Sequence, residues 1–406
     1  MKAVVRKAFS VLGVAVVVAG CGSSTKPATQ STGTPTSSPP AVVTPVLATV
    51  VAAPVPVPAT DGKVHLAYEL QLTNAMGSDV TLRSLEVKAG DKTLLTLAGD
   101  KLAYWTRTLG AGTKPTTTLG PGQAGIVWLD VVVDGGTPAP TELSHTIVAT
   151  LAKPMPPLIP ATVTESHVAP VAVSTHKPAA ISPPLDGPNW LDGNSCCDMT
   201  AHRMAMNPLD GSLWAAERFA IDYLQQSADG TIFKGDKAKP ESYPYFGADI
   251  HAVADGPVVG VLDGLPEQVP GASPTGLSLD QYGGNHVVQD IGDGNYAFYA
   301  HLKTDSVKVK VGDQLTTGQV LGNLGNTGNS DAPHLHFQVM STPDPLRSNG
   351  LPFVFKDFTL NGRLASMDAL DPLLDGKPAP LAPGSGARPE PGVSPLVLDV
   401  MTYANG

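Results

Sequence analysis

A chain of 406 residues has room for two or three domains with cores of their own, and its formal net charge of -10 excludes a nucleic-acid surface, which needs a basic face. Gly 42 and Pro 39 make up about a fifth of it, and no long stretch carries an unbroken helical period. That composition disfavours a helical protein and predicts an all-β chain with many turns.

The chain opens with an address. Lys2, Arg6 and Lys7 precede the apolar run Ala8 to Gly20, which is shorter than the roughly 20 residues a membrane-spanning helix needs, the form of a signal peptide. It ends Val18-Ala19-Gly20-Cys21, which resembles a bacterial lipobox and implies a lipid on Cys21 that anchors the mature protein to a membrane. Residues 1–21 are therefore read as a lipoprotein signal, with Gly22 suited to outer-membrane sorting if the cell has such a membrane. Residues 22–60 are Ser, Thr, Pro, Ala and Val with almost no charge, the composition of an extended tether.

At Gly62 the pattern changes. Val64, Leu66, Tyr68, Leu70 and Leu72 alternate with His65, Ala67, Glu69 and Gln71, which predicts a strand with one buried face. Further apolar runs at Val80 to Val87, Ile126 to Val133 and Ile147 to Leu151, with turns between them, predict an immunoglobulin-like β-sandwich over residues 61–170. His65 and His145 carry no partner motif and read as ordinary histidines, and the work expected of this domain is spacing or docking. A Pro-rich linker, 171–188, leads to a second domain, 189–375, and residues 376–406 return to Gly, Pro, Ala and Ser, as a tail.

The chemistry lies in the second domain. In Ala332-Pro333-His334-Leu335-His336-Phe337 two histidines one residue apart head a short strand and so project from one face. Tyr299-Ala300-His301-Leu302 ends another predicted strand, so three imidazoles can converge on one metal or one substrate.

These motifs stand in a series: Ala252-Val253-Ala254-Asp255-Gly256, Gly284-Asn285-His286-Val287-Val288, Tyr299-Ala300-His301-Leu302, Val311-Gly312-Asp313, Gly318-Gln319-Val320-Leu321-Gly322, Gly325-Asn326-Thr327-Gly328 and His334-Leu335-His336-Phe337. Their order resembles that of LytM/lysostaphin-type zinc endopeptidases. The resemblance implies a duplicated-hybrid-motif β-fold, a groove, one zinc ion, and hydrolysis of peptide bonds in peptidoglycan. It implies His336 and Asp222 as zinc ligands, the latter in Arg218-Phe219-Ala220-Ile221-Asp222, with His301 and His334 as catalytic residues, one deprotonating water and one stabilising the oxyanion. Val311-Gly312-Asp313 and Gly318-Gln319 also resemble biotinyl and lipoyl carriers, but the Met-Lys pair those need is missing.

The chain departs from the family at one ligand. Where the family has a histidine four residues before the aspartate, this chain has Arg218, whose guanidinium offers no lone pair. His202, in the His202-Arg203 pair upstream, is expected to replace it; His251, His286, Cys196 and Cys197 are the other candidates, and Asp249 stands too close to the Asp255-Gly256 turn to be the carboxylate ligand. Thiolate ligands, a vicinal disulfide and two free thiols all stay open for Cys196-Cys197. Arg203 and Arg218 are candidate cations for a groove that takes acidic peptide stems. The substrate-binding residues, the oligomeric state and the bond cleaved are not specified by the sequence. The expected product is a lipid-anchored zinc endopeptidase of the cell envelope acting on peptidoglycan peptides; the alternative is an inactive wall-binding relative that regulates another hydrolase.

Overall fold

The computed structural model describes residues 42–110, 114–384 and 386–404. The signal peptide, the lipobox and Cys21 lie outside the described residues. Among the described residues no helix is long and apolar enough to cross a membrane.

The alternation that begins at Val64 builds a long strand, Lys63–Asn74, which pairs with Val46–Val50 on one side and Ala124–Asp134 on the other. Thr106–Thr108 completes this antiparallel sheet. A second sheet runs Thr162–Ala172, Glu142–Leu151, Val80–Ala89, Lys92–Ala98. Leu66, Tyr68, Leu70 and Leu72 from the first face Leu82, Leu85, Val87 and Ile147 from the second in one buried cluster, each side chain contributing about 1.5–3 kcal/mol by leaving water. His145 is a satisfied core histidine, hydrogen-bonded to Tyr68 Oη at 2.8 Å and to the carbonyl of Val168.

Three expectations change here. The stretch read as a tether contributes Val46–Val50 and Val57–Pro58 to the sheet, because its valines alternate and its prolines fall on an edge, where no ladder donor is missed. The stretch read as a linker forms Ala179–Ile181, paired in parallel with Phe353–Phe355, with Ile181 and Leu185 buried. The stretch read as a tail supplies Asp399–Tyr403, a strand inserted between Gly187–Gly193 and Thr359–Arg363. Its proline-rich approach conceals the apolar run Leu396, Val397, Leu398, Val400, Met401, all buried.

The second half is organised on one antiparallel sheet, in spatial order Gln314–Leu315, Gly256–Leu262, Asn285–Asp290, Tyr296–Leu302, Leu335–Met340, Ile221–Gln225, Gly187–Gly193, Asp399–Tyr403, Thr359–Arg363 and Arg388–Pro389. Its centre fixes the register of the chemistry. Asp222 lies opposite His336, and Ala300 lies opposite His336 from the other side. The all-β reading of the sequence holds.

The two halves are docked. The polar face of Lys63–Asn74, which its sequence presents as the solvent face, is itself covered: Ala67 and Glu69 are both 0% exposed. Val57, Ala59 and Ala67 pack with Phe219, Val354, Leu396 and the Cys196–Cys197 disulfide in a small apolar cluster. Beside it, the Glu69 carboxylate accepts from Arg203 Nη1 at 2.7 Å and from Arg218 Nε and Nη2. Desolvation offsets most of what such a buried ion group gains, so the apolar cluster supplies the adhesion and the charges fix the register. Thr60 adds two hydrogen bonds across the same seam, from its Oγ1 to Asp399 and to its carbonyl from Arg388.

Candidate metal centre and active site

Antiparallel pairing brings Asp222 and His336 together without any loop: they are direct cross-strand partners, and His336 Nδ1 lies 3.0 Å from Asp222 Oδ1. His334, two residues earlier, faces the same way, and its Nε2 lies 3.3 Å from the same oxygen. His202 comes from a four-residue helical turn, Ala201–Met204, capped by the Thr200 side chain. Its Nε2 reaches Asp222 Oδ2 at 3.2 Å, and its ring packs edge-on against His336 with centroids 4.8 Å apart.

His202, Asp222 and His336 form a group whose donor atoms all lie within 4.8 Å of one another. The chemistry of this set fits a zinc ion. His202 Nδ1 is held by the carbonyl of Ala220 at 2.9 Å and His336 Nε2 by Gln338 Oε1 at 3.1 Å, so each ring is fixed from behind and presents its other nitrogen to Asp222. Asn194 Nδ2 donates to Asp222 Oδ2 at 2.9 Å and orients the carboxylate. Burial alone would raise Asp222, but the charges and hydrogen bonds of His202 and His334 hold it well below the usual carboxylate range. Burial likewise works against charge on His202, yet Asp222 prevails and pushes it up to about 9, so the metal-free protein keeps a proton there that an entering cation must displace.

His301 is placed by a local irregularity. Between the pairs Asn285 with Leu302 and Val287 with Tyr299 one strand advances a residue more than the other, and in this bulge His301 takes φ 61°, a left-handed conformation that re-aims its side chain. Its Nδ1 donates to the carbonyl of Thr327 at 2.7 Å. Gly284 makes that approach possible: it has φ +63°, and a Cβ there would stand 2.3 Å from the same carbonyl oxygen. His334 is held in the same manner, Nδ1 to the carbonyl of Ala332 at 2.8 Å, and the two rings lie 4.6 Å apart. Burial first, and then His334 and His336, push His301 well below the ordinary imidazole range. His334 is also opposed by burial, but Asp222 raises it.

A groove of about 1630 Å³ opens over these residues, walled by Met206 to Asp210 on one side and by Leu279, Tyr282 and Phe298 on another. It does not contain the two arginines expected there. Arg203 and Arg218 are buried against Glu69, and among the described residues the only arginine or lysine lining the groove is Arg347, which is paired with Asp210 and Asp344. The structure does not bring the other candidates to the centre. His251 pairs with Asp186, Asp249 with Lys308, and His286 lines the groove with its Nδ1 on the carbonyl of Gly284. Cys196 and Cys197 are joined as a vicinal disulfide, which removes them as thiolate ligands. A second donor group, His65, Asp130 and Cys197, has its sulfur in that disulfide, and His65 is instead bracketed by Asp130 and Asp61.

Sequence reasoning missed Gln338, Asn194 and the Ala220 carbonyl. Gln338 had a signal, since it continues the alternation of His334 and His336; Asn194 and the carbonyl had none.

Comparison with known proteins follows the same lines. The profile described as peptidase family M23 matches residues 243–348, a segment that contains His301, His334 and His336 and leaves His202 and Asp222 upstream. The glycyl-glycine endopeptidase ALE-1 of Staphylococcus capitis is 47% identical over 60 residues, 14% of this chain and 16% of that protein. The peptidoglycan DD-endopeptidase ShyA of Vibrio cholerae is 36% identical over 67 residues, 16% of this chain and 15% of that protein. The matched stretch thus spans about a sixth of these relatives. Among solved structures, a catalytic domain of the prophage-encoded M23 protein EnpA from Enterococcus faecalis aligns with 42% of this chain and 93% of its own, at 19% identity and a TM-score of 0.26. The resemblance to LytM/lysostaphin-type peptidases read from the motifs is upheld.

Proposed function

We propose that this chain is an exported, lipid-anchored zinc endopeptidase that hydrolyses peptide bonds in peptidoglycan. The observation that carries the reading is the convergence of His202, Asp222 and His336 in one donor group beside His301 and His334, at the floor of a groove. His202, Asp222 and His336 would hold a single zinc ion, and Arg218 takes no part. When bound, the ion supplies Lewis-acid polarisation and a nucleophile available at neutral pH.

The chain's own residues do the rest. His301 and His334 each have Nδ1 tied to a backbone carbonyl, so Nε2 is the working nitrogen of each; that of His334 faces Asp222 Oδ1 at 3.3 Å in the metal-free protein. One takes the proton from the attacking water and the other donates to the developing oxyanion. The bulge and the paired carbonyls hold both rings ready, so little reorganisation is needed as charge develops.

The test is the zinc content of the purified protein together with release of new amino termini from peptidoglycan fragments. Zinc at one ion per chain with hydrolysis supports the reading. Absence of both favours the alternative, an inactive wall-binding protein or regulator. A pH profile adds to this: two ligand imidazoles and a base must be unprotonated, and with zinc in place of the proton that Asp222 holds on metal-free His202, turnover is expected to fall as pH drops through about 6, near the ordinary imidazole value of about 6.5. A rate that stays flat from pH 8 to pH 5 contradicts a histidine-based site.

The anchor is tested separately. Cells fed a fatty-acid analogue are expected to label the wild type and leave Cys21→Ser unlabelled; equal labelling of both removes the lipid from the account.

A further inference from the structure

We infer that Glu69, on the N-terminal sandwich, is a positioning residue for the metal centre of the second half, an inference that rests on the function proposed above. The carboxylate is 0% exposed and receives both arginines that neighbour the ligand positions. Arg203 follows His202 directly. Arg218 opens the short segment that contains Ala220, whose carbonyl holds His202 Nδ1, and then Asp222.

One carboxylate therefore ties together the two segments that deliver His202 and Asp222 to each other. Arg203 makes a second bond to the sandwich, Nη2 to the carbonyl of Leu129 at 3.2 Å, and Phe219, between Arg218 and Ala220, packs into the apolar cluster with Val57, Ala59 and Ala67. The guanidinium at 218 thus serves the centre from behind: it fixes the backbone that carries the ligand, and its own partner sits 149 residues away in another sheet. The sandwich backs the two segments that carry the ligands, and its strand Lys63–Asn74 is polar on one face because that face receives two cations.

The experiment uses the full chain with Glu69→Gln, which keeps the shape and removes the charge. Zinc affinity is measured with a competing chromophoric chelator well below the melting temperature, and imidazole resonances of the metal-free protein are followed by NMR. Glu69→Gln is expected to fold, to bind zinc at least tenfold more weakly, within the range seen when outer partners of metal ligands are removed, and to shift the resonances of His202. Should it fail to fold, Arg218→Gln, which leaves one Arg203–Glu69 pair in charge balance, carries the same expectation. A purely structural role lowers the melting temperature and leaves zinc affinity within about twofold and His202 unmoved; that result overturns the inference. If the wild type binds no zinc, the peptidase reading fails, and the His202 resonances alone decide the role of Glu69.

Discussion

His202→Ala is expected to lose zinc and hydrolysis together, with affinity falling by about 100-fold or more, since even an outer-shell partner of a metal ligand changes affinity by about 10–100-fold. The reason is arithmetic of donors. Arg218 stands at the family's ligand position but carries no lone pair and is spent on Glu69, so Asp222 and His336 alone would leave two protein donors where a hydrolytic zinc site uses about three. On the proposed reading His202, held by a capped turn 3.2 Å from Asp222, would supply the third. His336→Ala should behave alike. A His202→Ala protein that takes up zinc with wild-type affinity, measured by chelator competition, sends the search to His286, the remaining candidate imidazole that lines the groove.

The second large effect separates chemistry from binding. His301→Ala and His334→Ala are expected to retain most of the zinc and to lose about 10²–10⁴-fold in kcat, the usual contribution of a positioned acid or base. Neither ring belongs to the donor group formed by His202, Asp222 and His336, and both are anchored through Nδ1 to backbone carbonyls. Steady-state kinetics on a soluble peptidoglycan peptide, paired with zinc analysis of the same preparation, distinguishes the two classes. Loss of zinc from either variant would place that histidine among the ligands instead.

Much of this centre was legible because it is written locally. His334, His336 and Gln338 share a face by strand alternation, and Asp222 sits in a five-residue segment whose pattern the eye can match. What was not legible depends on distant partners. Arg218 reads as a groove cation until Glu69 is found beside it, and nothing in either neighbourhood announces a pairing across 149 residues. The same holds for Lys63–Asn74, whose alternation correctly gives a strand but whose polar face reads as solvated, since pattern records polarity and not what covers it. The strand Asp399–Tyr403 was hidden by the prolines and glycines that precede it. The bulge at His301 left no mark beyond the glycine that makes room for it.

That late strand also sets a timetable. Gly187–Gly193 pairs on one edge with Ile221–Gln225, the strand of Asp222, and on the other with Asp399–Tyr403, in a register that joins Trp190 to Met401. A ribosome delivers these partners more than two hundred residues apart, and contacts of such long sequence separation form slowly. Until residue 403 has been made, Gly187–Gly193 has an open edge, and Asp399, which accepts from Thr60 just past the strand Val57–Pro58 and from Arg363 on the neighbouring strand Thr359–Arg363, has yet to arrive. The sheet that carries Asp222 and His336 therefore closes only once residue 403 has been made, and until then the proposed centre stands on an unfinished scaffold.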